Sequence, residues 1–136
     1  MPRPGTRTSE PSPVTVVRTA RSALSFYQAD CLDVFRALPE HSISVIVTSP
    51  PYNLGIQYNQ YRDTLPRDAY LDWTAAWVGA AARVLRPDGS LFLNVGAKPT
   101  DPWVPLEVAQ VALDNRGFPL QLLILQCIIP HVLMSL

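Results

Sequence analysis

The sequence predicts an α/β fold built on a largely parallel sheet. Three observations carry this expectation. Two nearly continuous apolar runs, Ile43–Ser49 and Ser90–Gly96, read as strands buried on both faces of a parallel sheet. Between them, Tyr70, Leu71, Thr74, Trp77, Val78, Ala81, Val84 and Leu85 recur at helical spacing. Strand-like and helix-like segments alternate along the rest of the chain, the order that connects parallel strands by helical crossovers.

The elements follow in order. Residues 1–13, rich in Pro, Ser, Thr and Arg, are expected to lack fixed structure, and the N-terminal segment 1–22 is set apart as disordered on the same ground. Ala23–Asp30 alternates and reads as a short strand ending at an acid. Leu32–Glu40 reads as a short helix with Leu32, Phe35 and Leu38 on one face and Pro39 as its stop. After the strand at 43–49, residues 53–66 form a polar, Tyr-rich loop. The long helix spans Arg67–Leu85 and is ended by Pro87-Asp88-Gly89. Asp101-Pro102 reads as an N-cap followed by proline at the first helical position. That helix continues to Arg116, with Gly117 as its C-cap. Pro119–Ile129 is a last apolar strand. His41 is expected in a surface turn, Trp73 and Trp77 in helix packing rather than in a stacking platform, and Trp103 as a staple at a helix start.

Composition narrows the function classes. At 136 residues the chain makes at most one domain. Its formal net charge is zero, which argues against a small, purely electrostatic nucleic-acid binder but leaves room for a local basic groove. The two cysteines, Cys31 and Cys127, form no CxxC pair, and no His/Cys group has zinc-ligand spacing, so no metal site is expected. A reduced, cytoplasmic setting fits this usage. The first residues contain no apolar core of a signal peptide, and no membrane span is expected, because the C-terminal apolar run is interrupted by Gln, Pro and His.

In open α/β sheets, ligands bind beyond the carboxyl ends of the strands. Three strand ends here carry suggestive groups: Asp30; Ser49-Pro50-Pro51-Tyr52; and Asn94–Gly96. Each has an ordinary structural explanation. An acid after a strand caps the next helix, Pro-Pro makes a rigid turn, and Asn-Val-Gly makes a loop. Pro50-Pro51 must end the strand before it, since neither residue has an N–H to give to a sheet.

Taken together, the stretches ADCLDVFRALPEHSISVIVTSPPYNLGIQYNQY and RVLRPDGSLFLNVGAKPTDPW resemble the S-adenosylmethionine-dependent DNA amino-methyltransferases, in particular the group with permuted motif order. The resemblance runs from Phe26 to Gln121. It implies a partial Rossmann-like methyltransferase sheet over residues 23–121. It also implies transfer of a methyl group to the exocyclic amine of cytosine (N4) or adenine (N6), in double-stranded DNA from which the target base is flipped. By the same resemblance Ser49, Pro50, Pro51 and Tyr52 are catalytic, Asp30 and Asp33 meet the cofactor, and Asn53 and Leu54 shape the substrate pocket. The residue types suit this chemistry. An exocyclic amine is a poor nucleophile, and acceptors on its two protons, such as the Ser49 hydroxyl and the Pro50 carbonyl, raise its reactivity. Tyr52 offers a stacking face to the extruded base. Asp33 has a plain alternative as a dipole complement in the first helical turn. Serine at the first position of the motif is commoner among the cytosine enzymes.

The chain also departs from the family pattern. It has no Phe-x-Gly-x-Gly loop, which in the family cradles the methionine part of the cofactor. Residues 122–136 read as a divergent or frameshifted apolar tail. The expectation is therefore a sheet lacking the strands that carry the Gly-rich loop, with the Asp30 strand either paired directly to the Ser49 strand or loosely attached. Such a chain should be inactive alone and prone to pair with a complementary chain or with itself. Two further readings are a non-catalytic fragment that acts only through such pairing and a methyltransferase for protein or RNA amines; a link to restriction-modification follows from the resemblance to the DNA enzymes.

Overall fold

The structure, a computed structural model, describes residues 11–55, 63–114 and 122–126, the last of these in its backbone. The chain divides into two compact units, Met1–Pro39 and Glu40–Leu136.

The first unit holds two strands and a short helix. β1 (Thr15–Arg18) and β2 (Ala23–Phe26) pair antiparallel, with Arg18 opposite Ala23 and Thr15 opposite Phe26. The connection is closed by Thr19, whose N–H donates to the Ser22 carbonyl (2.8 Å) and whose hydroxyl accepts the Ser22 N–H (3.0 Å). β1 lies inside the segment expected to lack structure. Its Thr-Val-Val sequence is β-prone, and the Thr19 turn supplies the partner strand that a composition-based reading overlooks. Every residue of both strands is exposed, so the hairpin contributes no core. α1 (Cys31–Ala37) follows, with Leu32, Phe35 and Leu38 half-buried as the spacing predicts, and Leu38 as C-cap before Pro39.

The second unit is a three-stranded parallel sheet in the order β3–β4–β5. It comprises β3 (Ile43–Thr48), α2 (Arg67–Val84), β4 (Leu85–Val95), α3 (Val104–Asp114) and β5 (Leu122–Gln126). Each pair of neighbouring strands is joined through one helix, the parallel crossover anticipated from the sequence. β2 pairs with β1 and not with β3, so the expected direct pairing of the Asp30 strand with the Ser49 strand does not form. β5 confirms the strand expected over Pro119–Ile129 across its middle five residues. The expected C-cap at Gly117 falls outside the described residues.

Side-chain alternation on β4 locates the core. Leu91, Leu93 and Val95 are buried, while Ser90, Phe92 and Asn94 on the other face are half-buried. The core is completed by Tyr70, Trp77, Val78, Ala81 and Val84 of α2 and by Val104, Val108 and Ala112 of α3. The expectation that β3 is buried on both faces is corrected. Val45 and Val47 are 53% and 77% exposed, because no described element of this unit covers their face and β3 is the sheet edge. A continuous apolar run records that both faces can be covered, not that they are.

The junction of α2 and β4 differs from the sequence expectation. The helix stops at Val84, and Leu85 is already extended (ψ 138°). Arg86–Gly89 then forms a bulge within β4: Ile43 faces Leu85, but Val45 faces Ser90. Pro87 is tolerated there because a bulged residue donates nothing to the ladder. The last carbonyls of α2 are satisfied from the turn before β3. His41 N–H donates to the Arg83 carbonyl (3.1 Å), Ser42 N–H to that of Val84 (2.9 Å), and the His41 ring Nδ1–H to that of Leu85 (2.9 Å). His41 adopts φ 53°, so its turn placement is as expected, with this added role.

α3 also starts later than expected. Asp101 bridges to Lys98 instead of capping a helix, and the first helical N–H groups, of Leu106 and Glu107, donate to the Trp103 carbonyl. Trp103 is 64% exposed, where a staple at the helix start was expected to pack. The Asp101 carboxylate is instead paired with Arg67, which also pairs with Glu107 and so ties the start of α2 to the start of α3.

Gly89 is needed at the bulge. A Cβ there would stand 2.7 Å from Leu85 Cδ2 and 3.0 Å from two backbone oxygens, of Arg86 and Ser44. Gly89→Ala should therefore destabilise the second unit by about 1–3 kcal/mol, read as a lowered denaturation midpoint at unchanged slope.

Candidate active site

β3 delivers the chain to Ser49, and Pro50-Pro51 then forces it out of the sheet, as the missing donors require. The loop that follows has its own bonding. Pro50 is buried, and the Pro51 carbonyl accepts the Tyr70 hydroxyl at 2.9 Å. Tyr70 is 1% exposed on α2, and a buried phenol needs such a partner, so the loop is pinned to the helix core. Asn53 turns the chain with φ 58°.

Four further bonds hold the turn. Asp63 is 1% exposed, and its two carboxylate oxygens accept the N–H groups of Asn53 (2.8 Å) and Leu54 (2.9 Å). The Asn53 side chain lies against Leu65 like a strand partner. Its Oδ1 accepts Leu65 N–H, and its Nδ2 donates to the Leu65 carbonyl, both at 2.8 Å.

Ser49 and Tyr52 meet through their hydroxyl oxygens, either of which can donate. The Tyr52 ring lies against Gly96, at the end of β4. A Cβ on Gly96 would stand 2.7 Å and 2.8 Å from two of its ring carbons. The structure thus brings together two of the three strand ends singled out from the sequence, Ser49–Tyr52 and Asn94–Gly96. At the end of β4, Lys98 is exposed, with Nζ close to Gly55 of the loop. Among the described residues no group of three acidic, His or Cys side chains could hold a metal ion, and no helix is long and apolar enough to cross a membrane.

Asp30 and Asp33 belong to the first unit. Asp30 is the N-cap of α1, its Oδ1 accepting Leu32 N–H at 2.8 Å, and Asp33 pairs with Arg36 on the exposed face. The acceptor chemistry of Asp30 fits a nucleoside, because a carboxylate can accept from an amino group or a ribose hydroxyl, although β2 ends at Phe26, four residues before the acid expected at its end. Asp33 is engaged through one oxygen as well, by Arg36, and keeps the other. Cys31 sits between them. Although the residue is exposed, desolvation pushes its thiol above the usual cysteine range, and the charge of Asp30 pushes it further.

Three residues of this region were not singled out in the sequence. Asp63 lay in a segment read only as polar loop. Tyr70 was counted for its helical spacing and not for its hydroxyl, although a tyrosine at a core position is itself a signal that a partner is needed. Lys98 had no distinguishing context. Trp73 and Trp77 are helix-packed as expected, with ring centroids 6.3 Å apart, and the Trp77 indole N–H is buried without a partner among the described residues.

Two predictions follow from this geometry. Gly96→Ala should displace the Tyr52 ring while leaving the fold intact, seen as shifted Tyr52 ring resonances with β4 amides unchanged. The rate of Cys31 alkylation should rise with pH along a curve displaced upward from that of a free cysteine, and Asp30→Asn should move the curve back down.

Comparison with known proteins shows the family. The family model described as DNA methylase matches residues 43–128, beyond Gln121, where the sequence resemblance was expected to end. The chain is 47% identical over 91 residues to the type II methyltransferase M.MjaVI of Methanocaldococcus jannaschii, a match covering 62% of this chain and 44% of that protein. It is 38% identical over 68 residues to M.BamHI of Bacillus amyloliquefaciens (49% and 16% covered) and 35% identical over 94 residues to M.BglII of Bacillus subtilis (69% and 24% covered). It therefore spans less than half the length of these relatives. With more than half of its residues matched, including β3, the Pro-Pro loop and β4, the chain belongs to the DNA methylase family.

Proposed function

We propose that this chain carries the catalytic loop of a DNA amino-methyltransferase that moves a methyl group from S-adenosylmethionine to the exocyclic amine of cytosine (N4) or adenine (N6). The observation that carries the reading is the Ser49–Tyr52 loop at the end of β3, seated on Gly96 at the end of β4, in a chain of this family. The cofactor supplies an electrophilic methyl on a sulfonium.

The chain's own residues prepare the nucleophile. If Ser49 donates its hydrogen to Tyr52, both of its lone pairs are left to accept from the amine. Tyr70 engages the Pro51 carbonyl, which leaves that of Pro50 as the second acceptor, aimed by the fixed φ of the ring. Tyr52 is half-buried and backed by Gly96, a platform on which a flipped base can stack. Asn53 and Leu54 form the wall beyond it. The exposed Lys98 ammonium beside the loop suits a contact with a DNA phosphate. Asp30 is the candidate acceptor for the nucleoside part of the cofactor. Asp33 pairs with Arg36 through Oδ1, which leaves Oδ2 as a second candidate acceptor. Serine at the head of the motif favours cytosine.

The reading includes a requirement for further polypeptide. The sequence has no Phe-x-Gly-x-Gly segment, and Val45 and Val47 leave an apolar face of the sheet edge open. Methyl transfer is accordingly expected when the chain is mixed with one carrying that loop, and to be weak without it.

The test is tritium transfer from labelled S-adenosylmethionine to unmethylated DNA, with RNA and protein as competing acceptors. Label should enter DNA in the mixture, and Ser49→Ala should cut the rate by about 10²–10³-fold. Absence of DNA label in both arms, or label in protein or RNA alone, would overturn the reading.

A further inference from the structure

We infer that Asp63 is the positioning residue of the catalytic loop, acting as a built-in anion that fills a backbone nest. The inference rests on the functional reading above only in that the loop it holds is the one that presents Ser49 and Tyr52.

Three successive N–H groups, of Asn53, Leu54 and Gly55, converge on this one residue. The first two donate to the separate carboxylate oxygens, and the third donates to the Asp63 carbonyl at 2.7 Å. Convergent backbone N–H groups around a left-handed residue form a site that attracts an anion, and Asn53, at φ 58°, is that residue. Here the anion is a side chain of the same chain and is almost wholly buried. Its burial leaves the carboxylate no water to fall back on, so it depends on the N–H groups of Asn53 and Leu54 for its partners.

The consequence reaches the site through the chain. Asn53 directly follows Tyr52, and its N–H leaves the peptide group that fixes the Tyr52 carbonyl. With Tyr70 holding Pro51 from one side and Asp63 holding Asn53 and Leu54 from the other, Tyr52 lies between two anchored points. The Ser49–Tyr52 hydroxyl contact and the seat on Gly96 both depend on that placement. Asp63 touches neither hydroxyl and is not a catalytic residue.

Asparagine is the informative replacement. It has nearly the same shape but only one acceptor oxygen, and its NH2 group would face a backbone N–H, donor against donor. Val108→Ala, a truncation of a buried α3 side chain that makes none of the loop's hydrogen bonds, serves as the control for a general loss of stability.

The experiment compares the full chain with its Asp63→Asn and Val108→Ala variants. Amide hydrogen exchange is followed at Asn53, Leu54 and Gly55, with Leu91 and Leu93 of β4 as internal references. Asp63→Asn should speed exchange at the three loop amides by roughly tenfold or more relative to the β4 amides, and Val108→Ala should not. Unchanged loop exchange in Asp63→Asn overturns the inference whether or not methyl transfer is seen.

In the tritium assay of the mixture, transfer per folded molecule should fall at least about tenfold in Asp63→Asn relative to Val108→Ala. Wild-type transfer by a variant with loosened amides also overturns the inference. If the unaltered chain transfers nothing to DNA, the functional reading fails, and loosened loop amides still establish Asp63 as the anchor of the loop.

Discussion

Two consecutive prolines at the end of a parallel strand leave the backbone with no donors at the point where the strand must hand over to a loop. Much of the second unit is arranged around that deficit. The chain cannot continue in register with β4, so it turns out over the carboxyl edge of the sheet. Once outside, its carbonyl and N–H groups must find partners elsewhere, because a half-buried loop cannot rely on water for all of them. Tyr70 takes the Pro51 carbonyl from the core side of α2. Asp63 takes the N–H groups of Asn53 and Leu54, and Asn53 joins Leu65. A stiff loop with satisfied ends is the result, and stiffness is what a site needs if it is to present two acceptors to an amine without reorganising.

β4 supplies the other half of the arrangement. It is the central strand of the three, and its dry face of Leu91, Leu93 and Val95 is the floor of the core. The same strand begins in a bulge at Arg86–Gly89 and ends at Gly96 beneath Tyr52, so one element sets both the register of β3 and the height of the tyrosine ring. Arg67 secures the rim by pairing with Asp101 and Glu107. These are exposed or half-exposed ion pairs, each of modest energy, but a two-acid grip fixes where α2 starts relative to the β4–α3 connection.

The first unit follows a different logic. Its hairpin buries none of its strand residues, and its helix has no fully buried residue. Its order comes from local devices: the Thr19 turn, the Asp30 cap, and the Asp33–Arg36 pair. Such devices are individually worth about 1 kcal/mol or less, so this unit cannot match the cooperativity of the packed sheet and helices. Asp30 shows how a structural and a functional reading can share a residue. A carboxylate that caps a helix with one oxygen keeps acceptor capacity on the other, so the cap does not exhaust it.

The sequence by itself determined the alternation of elements in the second unit, the end of β3 at the prolines, the half-buried stripe of α1 and the stiff Ser-Pro-Pro-Tyr loop that follows β3. Those features are local, set by donor counts, side-chain period and ring geometry within a few residues. Only the tertiary structure decided the rest. The α2–β4 boundary moved because the register with β3, not the Pro-Asp-Gly turn signal, places the bulge. Asp101 left its expected cap because Arg67, 34 residues earlier in the chain, claims its carboxylate. Val45 and Val47 stay exposed because coverage depends on what packs against a face, which an apolar run does not encode. Tyr52 on Gly96, Tyr70 on Pro51 and Asp63 on Asn53 join residues 10 to 44 positions apart. Contacts at that range leave little signature in local spacing, since they depend on how separate elements converge at one edge of the sheet.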